Sequence, residues 1–346
     1  MTDADRHPDL AGAVAAHPED FDAARAVIAE AEAADGASPV SDQAMLAAAQ
    51  GQRALLLFRR RDERHDGDAP AHDPTAPDAV GIVGQGEVDL VVRPGLRGRG
   101  IGTAALGALL AHGRAGGART DPGPLRAWAH GENPAAEALL GAAGFAPVRT
   151  LFRMDLDPAL LPDGEADPLS LAAPDGLRLR AFDPRRPGDA PAWVDANAAA
   201  FASHPEQGRI TESDFALMRA EPWFDADDLI LLEEVGSDPA APRLAGSTWV
   251  KTVREAGEDG AQETVVAELY AVGVRPERAG QGLGRLLLDA TLRRMARHSP
   301  DRVSLYVDGE NERAVELYRR AEFTVGSRSR QWERPPAPAA GARIDA

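Results

Sequence analysis

VDLVVRPGLRGRGIGTAALGALL, residues Val88 to Leu110, and LYAVGVRPERAGQGLGRLLLDATL, residues Leu269 to Leu292, share one construction. Each passes from an apolar strand through a Gly-rich turn into an amphipathic helix, an arrangement that points unpaired backbone N–H groups at a phosphate. A second matched pair follows: GENPAAEALLGAAGF (Gly131 to Phe145) and GENERAVELYRRAEF (Gly309 to Phe323). Val92 to Val274 is a step of 182 residues and Gly131 to Gly309 a step of 178, so the offsets nearly agree. The chain reads as two copies of one domain in tandem.

Composition bounds what these copies can do. With 346 residues, 44% of them apolar, there is enough material for two cores. No run reaches the length of a membrane span, and MTDADRHPDL lacks the basic and apolar regions of a secretory signal. A soluble, cytoplasmic protein is expected, with no action at a membrane. Zero cysteines exclude disulfides, thiolate zinc sites and a cysteine nucleophile together. A net charge of -17 argues against nonspecific nucleic-acid binding, which needs a basic surface. Lys251 is the only lysine. Either it survives by chance or a compact ammonium is needed there where a planar guanidinium would not serve.

The local pattern then divides the chain. Residues 1–156 form the first domain, with helices predicted at Phe21 to Ala34 and Ser41 to Ala49 and a strand at RALLLFRR. The Asp-, Pro- and His-rich stretch from Asp66 to Asp78 reads as a mobile hairpin loop; His65 and His72 have no regular ligand spacing, so no metal is expected. Residues 157–175, rich in Pro and acids, read as a linker. The second domain, 176–334, begins at LRLRAF and the helix AWVDANAAAF. Strands are predicted at Leu229 to Glu234, Leu244 to Val253 and Thr264 to Val274. A helix follows at Leu283 to His298, then a strand at Val303 to Val307 and a helix at Asn311 to Arg320. Residues 335–346 read as a disordered tail.

The glycine pattern R/Q-x-x-G-x-G/A, read as Arg97-Gly98-Arg99-Gly100-Ile101-Gly102 and as Ala279-Gly280-Gln281-Gly282-Leu283-Gly284, resembles the signature of the Gcn5-related N-acetyltransferases (GNAT). The resemblance implies an α/β (α+β) fold of two tandem GNAT domains, each a mixed, mostly antiparallel central sheet flanked by helices. It implies acetyl-coenzyme A as cofactor, with one in each domain and turnover at the C-terminal one. Its diphosphate would lie on the helix-start amides and its pantetheine arm beside the preceding strand. The cofactor residues so implied in the first copy are Leu90, Val91, Val92, Gly98, Arg99, Gly100, Ile101, Gly102 and Thr103. In the second they are Val272, Gly273, Val274, Ala279, Gly280, Gln281, Gly282, Leu283, Gly284, Arg285, Asn311, Glu312, Arg313, Ala314, Val315 and Glu316.

Acetyl transfer needs a neutral amine. An α-amino group with a pKa of about 7.7 to 8.0 is already partly free base at pH 7, so a modest base suffices. Glu268, two residues before Tyr270 on one strand face, stands just upstream of the cofactor strand in the position of that base. Coenzyme A leaves as a thiolate that takes a proton, and a phenol can supply it. Tyr318 lies where many acetyltransferases of this type carry their general acid. Aligning Val92 with Val274 sets Gly86 opposite Glu268; aligning Gly131 with Gly309 sets Trp128 opposite Tyr306 and Leu140 opposite Tyr318. The first copy is therefore expected to bind acetyl-coenzyme A without turning it over.

HPEQG followed by a helix and EPWFD, with TWVK at Lys251, ELYAVGV, LYVDGEN and ADGASPVSDQ, is similar to the mycothiol synthase family over nearly the whole chain. That resemblance implies transfer of acetyl to the cysteine amine of cysteinyl-glucosaminyl-inositol. It assigns Glu268 as base and Tyr318 as acid, and implies substrate contacts from Asp42, Glu206, Lys251, Glu268 and Tyr306. Three departures stand out: Asp42 is shorter than the expected glutamate, Ala279 replaces a more polar residue, and AEF stands where LGF is usual. His204 and Glu206 have a second reading as a turn and helix cap. Two other functions fit the same motifs: acetylation of another amine (an aminoglycoside, a polyamine or a peptide terminus), or a non-catalytic acyl-coenzyme A sensor. Two fused copies supply an internal interface, which predicts a monomer.

Overall fold

The structure, a computed structural model, describes residues 8–36, 38–61, 76–115, 123–202, 207–255 and 263–336, and of Asp42, Arg114 and Ala115 the backbone alone. The predicted loop over Asp66 to Asp78, apart from its last three residues, the substrate candidate Glu206 with His204, and the tail from 337 onward lie outside the described residues.

In chain order the elements are β1 (Leu10–Val14), α1 (Pro18–Asp35), α2 (Asp42–Ala49), β2 (Ala54–Arg60), β3 (Ala79–Gly84), β4 (Glu87–Val92), α3 (Ile101–Ala115), β5 (Leu125–Ala129), α4 (Pro134–Ala142) and β6 (Ala146–Leu156). They continue with β7 (Leu177–Ala181), α5 (Asp189–Ala200), α6 (Glu212–Met218), β8 (Leu229–Glu234), β9 (Leu244–Glu255), β10 (Thr264–Val274), α7 (Leu283–Arg297), β11 (Arg302–Asp308), α8 (Glu312–Arg319) and β12 (Thr324–Arg334). The repeat seen in the sequence is thus a repeat of elements, β1 to β6 answering β7 to β12.

Two compact units result, unit 1 from Met1–Leu151 with Ser327–Ala346 and unit 2 from Phe152–Gly326. In unit 1 the strand order is β1-β2-β3-β4-β5-β12. β1 to β4 run antiparallel, β4 and β5 meet in parallel only at Glu87 and Arg126, and β12 closes the sheet antiparallel to β5. One face is packed by α1 and α2 around Val27, Leu57, Ile82 and Val91; the other by α3 and α4 around Leu106, Leu109, Leu140 and Trp332. In unit 2 the order is β6-β11-β10-β9-β8-β7, with α5 and α6 on one face over Trp193, Phe215 and Trp249 and α7 and α8 on the other over Leu288, Met295 and Tyr318.

The expected boundaries at 156, 175 and 334 are corrected by this division. The C-terminal strand completes unit 1, because Arg330 to Arg334 pair with Leu125 to Ala129 and Trp332 enters the unit 1 core. The expected linker 157–175 is part of unit 2. Pro168 is buried, Leu169 and Leu171 pack against Leu179, Ile230 and Leu287, and Arg293 donates to the Asp167 carbonyl at 3.2 Å. Its prolines set short 3-10 turns on that surface, which is why it shows no helical or strand periodicity.

Helix ends follow ordinary capping. Ser41 accepts from the Ala44 amide and caps α2, and Asn311 accepts from the Ala314 amide and caps α8. The departure AEF has a visible cost: after α8, the exposed Glu322 sits at φ +67°, where the matching residue of unit 1 is Gly144 at φ +81°. A side chain in that conformation costs about 1 kcal/mol or more. Glu322→Gly is therefore expected to raise the melting temperature of unit 2 by about 2–4 °C, read by calorimetry; an unchanged or lower value would count against this source of strain.

Candidate active site

β10 is the axis of the site. It pairs antiparallel with β9 along its length, but the register slips by one residue between Leu269 and Ala271, leaving Tyr270 as a bulge. Ala267 and Leu269 face α7 and α8; after the bulge Ala271 faces α5 and α6, and Val272 returns to the α7 side. On its other edge β10 pairs with β11 only from Val266 to Leu269. Beyond Leu269 and Leu305 the two parallel strands part, and among the described residues no strand bonds that edge of Val272, Gly273 and Val274. An extended arm has a free backbone edge to lie against there.

The Gly-rich turn stands at the end of that edge. After a 3-10 turn at Pro276–Arg278, Gly280 (φ +81°) and Gly282 (φ +77°) take left-handed backbone that side chains rarely adopt. α7 starts at once, with no side-chain cap. Among the described residues no hydrogen bond occupies the amides of Gln281, Gly282, Leu283 and Gly284. Four unoccupied amides at a helix N-terminus fit a diphosphate. Leu283 is itself a core residue, so it has only its amide to offer, and Val315 on α8 is likewise buried in the core. Arg285 pairs with Asp289 at 2.9 Å and Glu316 with Arg320 at 2.9 Å, so both side chains turn along their own helices.

Glu268 lies two residues before the bulge, opposite Lys251 on β9 and Ser304 on β11. It alternates with Ala267 and Leu269 and therefore looks to the α5 and α6 side, partly open to solvent. Tyr306, two residues beyond Ser304, alternates with buried Leu305 and Val307 on that same side and is 48% exposed. Lys251 reaches the aromatic wall of this face, its Nζ lying 5.3 Å from the centre of Trp223 and 6.0 Å from that of Tyr270. Tyr318 is on the opposite side. It is 5% exposed, edge-on to Phe323, and packs with Ala267 and Leu269. Burial pushes its phenol above the usual range, so it remains protonated at any physiological pH.

The structure thus gathers Glu268, Lys251 and Tyr306 on one face and Tyr318 across the sheet. Asp42 is the first residue of α2 in unit 1, and its side chain lies outside the description, as does all of Glu206. Two features were missed in the sequence. Trp223 is one, although EPWFD marked the segment. The bulge is the other, and it corrects the alignment of the copies. β4 has no slip, so the residue that meets β5 at Arg126 as Glu268 meets β11 at Ser304 is Glu87, and not Gly86.

Unit 1 has the same turn, with Gly98 at φ +74° and Gly100 at φ +77° ahead of α3. Arg97 pairs with both oxygens of Asp35 at 2.6 and 2.8 Å and donates to the Val92 carbonyl. Where β4 and β5 part there is an apolar cleft lined by Leu90, Leu106, Trp128, Leu139 and Leu140. Its carboxylate is tied: the buried Arg53 holds Glu87 at 3.0 Å and Asp89 at 2.5 Å. No group of three or more His, Asp or Glu among the described residues could hold a metal ion, and no described helix is long and apolar enough to cross a membrane.

The sequence profile of the Acetyltransferase (GNAT) family matches residues 197–323. A mycothiol acetyltransferase of Kineococcus radiotolerans is 41% identical over 318 residues, covering 91% of this chain and 93% of its own length. That of Frankia alni is 39% identical, with 89% and 90% covered. Among solved structures, a GCN5-related N-acetyltransferase from Sphaerobacter thermophilus superposes with a TM-score of 0.62 at 22% identity, covering 96% of this chain and 98% of that one. A tandem GNAT protein from the clavulanic acid biosynthesis pathway gives 0.60 at 22% identity, with 96% and 100% covered. At that identity the likeness is one of fold.

Proposed function

The chain belongs to the mycothiol acetyltransferases of the GNAT family and is an acyltransferase that uses acetyl-coenzyme A; from this we propose that it acetylates the cysteine amine of cysteinyl-glucosaminyl-inositol to form mycothiol. The observation that supports the reading is the free edge of Val272 to Val274 beside the unoccupied amides of Gln281 to Gly284, with Glu268 just upstream on the same strand. Acetyl-coenzyme A supplies the acetyl group as a thioester. Gln281 to Gly284 hold its diphosphate with their amides, and the free edge of Val272 to Val274 takes its arm. Glu268 accepts the ammonium proton of the acceptor, directly or through water, and Tyr318 donates to the departing sulfur. Lys251 and Tyr306 meet the hydroxyls of the acceptor.

Catalysis is assigned to unit 2. Unit 1 holds a second acetyl-coenzyme A on Gly98 to Thr103 without turning it over, because Leu140 has no hydroxyl to donate and Glu87 is committed to Arg53. The test is mass-spectrometric acetyl transfer from labelled acetyl-coenzyme A to cysteinyl-glucosaminyl-inositol, glucosaminyl-inositol, cysteine and an aminoglycoside. Strong preference for the cysteinyl compound is expected. Turnover of another amine with none of this one would sink the substrate assignment, and binding without any turnover would make the protein a sensor.

A further inference from the structure

We propose that Trp223 sets acceptor specificity by presenting an aromatic face to the sugar or cyclitol ring of the acceptor, with Tyr270 beside it. This rests on the reading of the acceptor as a cysteinyl pseudodisaccharide. Trp193 stacks on Phe215, and Trp249 meets both edge-on in a cluster under α5 and α6, each ring fully buried. Trp223 and Tyr270 lie at its open side and stay partly solvent-accessible. Their rings are 5.4 Å apart and tilted by 44°, and each also rests on Trp249, at 5.4 and 5.2 Å. Two rings held on a packed floor are a rigid platform that loses little freedom when a ligand covers it.

The platform adjoins the reacting end. Tyr270 is the bulge residue two places from Glu268, and Lys251, whose ammonium lies 5.3 Å from the Trp223 centre, is the cross-strand partner of Glu268. A pyranose or cyclitol ring has a C–H face and a rim of hydroxyls. The rings of Trp223 and Tyr270 suit the face, and the ammonium suits the rim as a donor. A short amine has no such face to offer, so a side chain with this duty discriminates between acceptors and leaves the chemical step alone.

The experiment compares the full-length protein with Trp223→Leu, which keeps apolar bulk, and Trp223→Phe, which keeps a ring. Each is assayed on cysteinyl-glucosaminyl-inositol and on cysteine amide, with KM and kcat determined separately. Trp223→Leu is expected to raise KM for the ringed acceptor about tenfold, keep kcat within about threefold, and change kcat/KM for cysteine amide less than about twofold. Trp223→Phe should recover most of the lost affinity. Equal losses on both acceptors would show a packing role only, and no change on either would show none; both outcomes overturn the proposal. Wild-type protein inactive on the ringed acceptor but active on another amine would instead remove the substrate reading, and this proposal with it.

Discussion

Glu268→Gln is expected to lower acetyl transfer by about 10²- to 10⁴-fold while leaving acetyl-coenzyme A binding unchanged. The carboxamide keeps the size and strand position of Glu268 between Lys251 and Ser304 but cannot accept a proton. The cofactor elements, the Gly280 to Gly284 turn and the edge of Val272 to Val274, are separate from it in the sequence and make no use of its charge. The defect should also depend on pH. An acceptor amine with a pKa of about 7.7 to 8.0 deprotonates unaided as pH rises, so residual activity of the variant should climb about tenfold per unit below that pKa and flatten above it. Activity within about threefold of wild type at pH 7 would remove Glu268 as the base. In that event Glu87 of unit 1, paired with Arg53, becomes the next carboxylate to replace.

Removing the chain after Gly326 is expected to unfold unit 1 and spare unit 2. β5 would lose the pairing of Arg330 to Arg334, the Gly131 amide would lose the Ser329 hydroxyl at 3.0 Å, and Glu137 would lose Arg330 at 3.2 Å. The unit 1 core would lose Trp332, which is 9% exposed. Trp332→Ala alone should cost about 3–5 kcal/mol, a large part of the stability of a unit this size. Limited proteolysis resolves the outcome, with rapid cleavage expected before residue 151 and protection of 152–326. A truncated protein that still protects its first 151 residues would show that β12 is dispensable. For the same reason a fragment of residues 1–160 is not a fair sample of unit 1.

Much of this fold was legible because its signals are local. The two strand–glycine–helix units and the helices predicted at Ser41 to Ala49 and Asn311 to Arg320 each depend on residues within a few turns of each other. β12 was not. Its sequence, TVGSRSRQWER, buries Ser329 and Gln331 alongside Trp332, so no apolar alternation marks it, and its partner β5 lies some 200 residues earlier. The linker was misread for a related reason: proline-rich chain packed on a surface has no period of its own. At the site, Glu268 and Tyr318 were readable by resemblance, but the bulge that separates Glu87 from Gly86 as the matching residue is a one-residue gap, which an ungapped comparison hides.

The strand that closes unit 1 also fixes when unit 1 can finish folding. Between Leu151 and Ser327 lie the 175 residues from 152 to 326, all of unit 2. At a synthesis rate of about 5–20 residues per second, the first half of the protein waits roughly 9 to 35 seconds for its last strand. Throughout that interval β5 has an open edge and the space for Trp332 is empty, a state exposed to pairing with other chains. Unit 2 has all its strands before β12 emerges, so the half made last is completed first. Expression yield should therefore depend on residues 327–334 more than on any stretch of similar length within the first half.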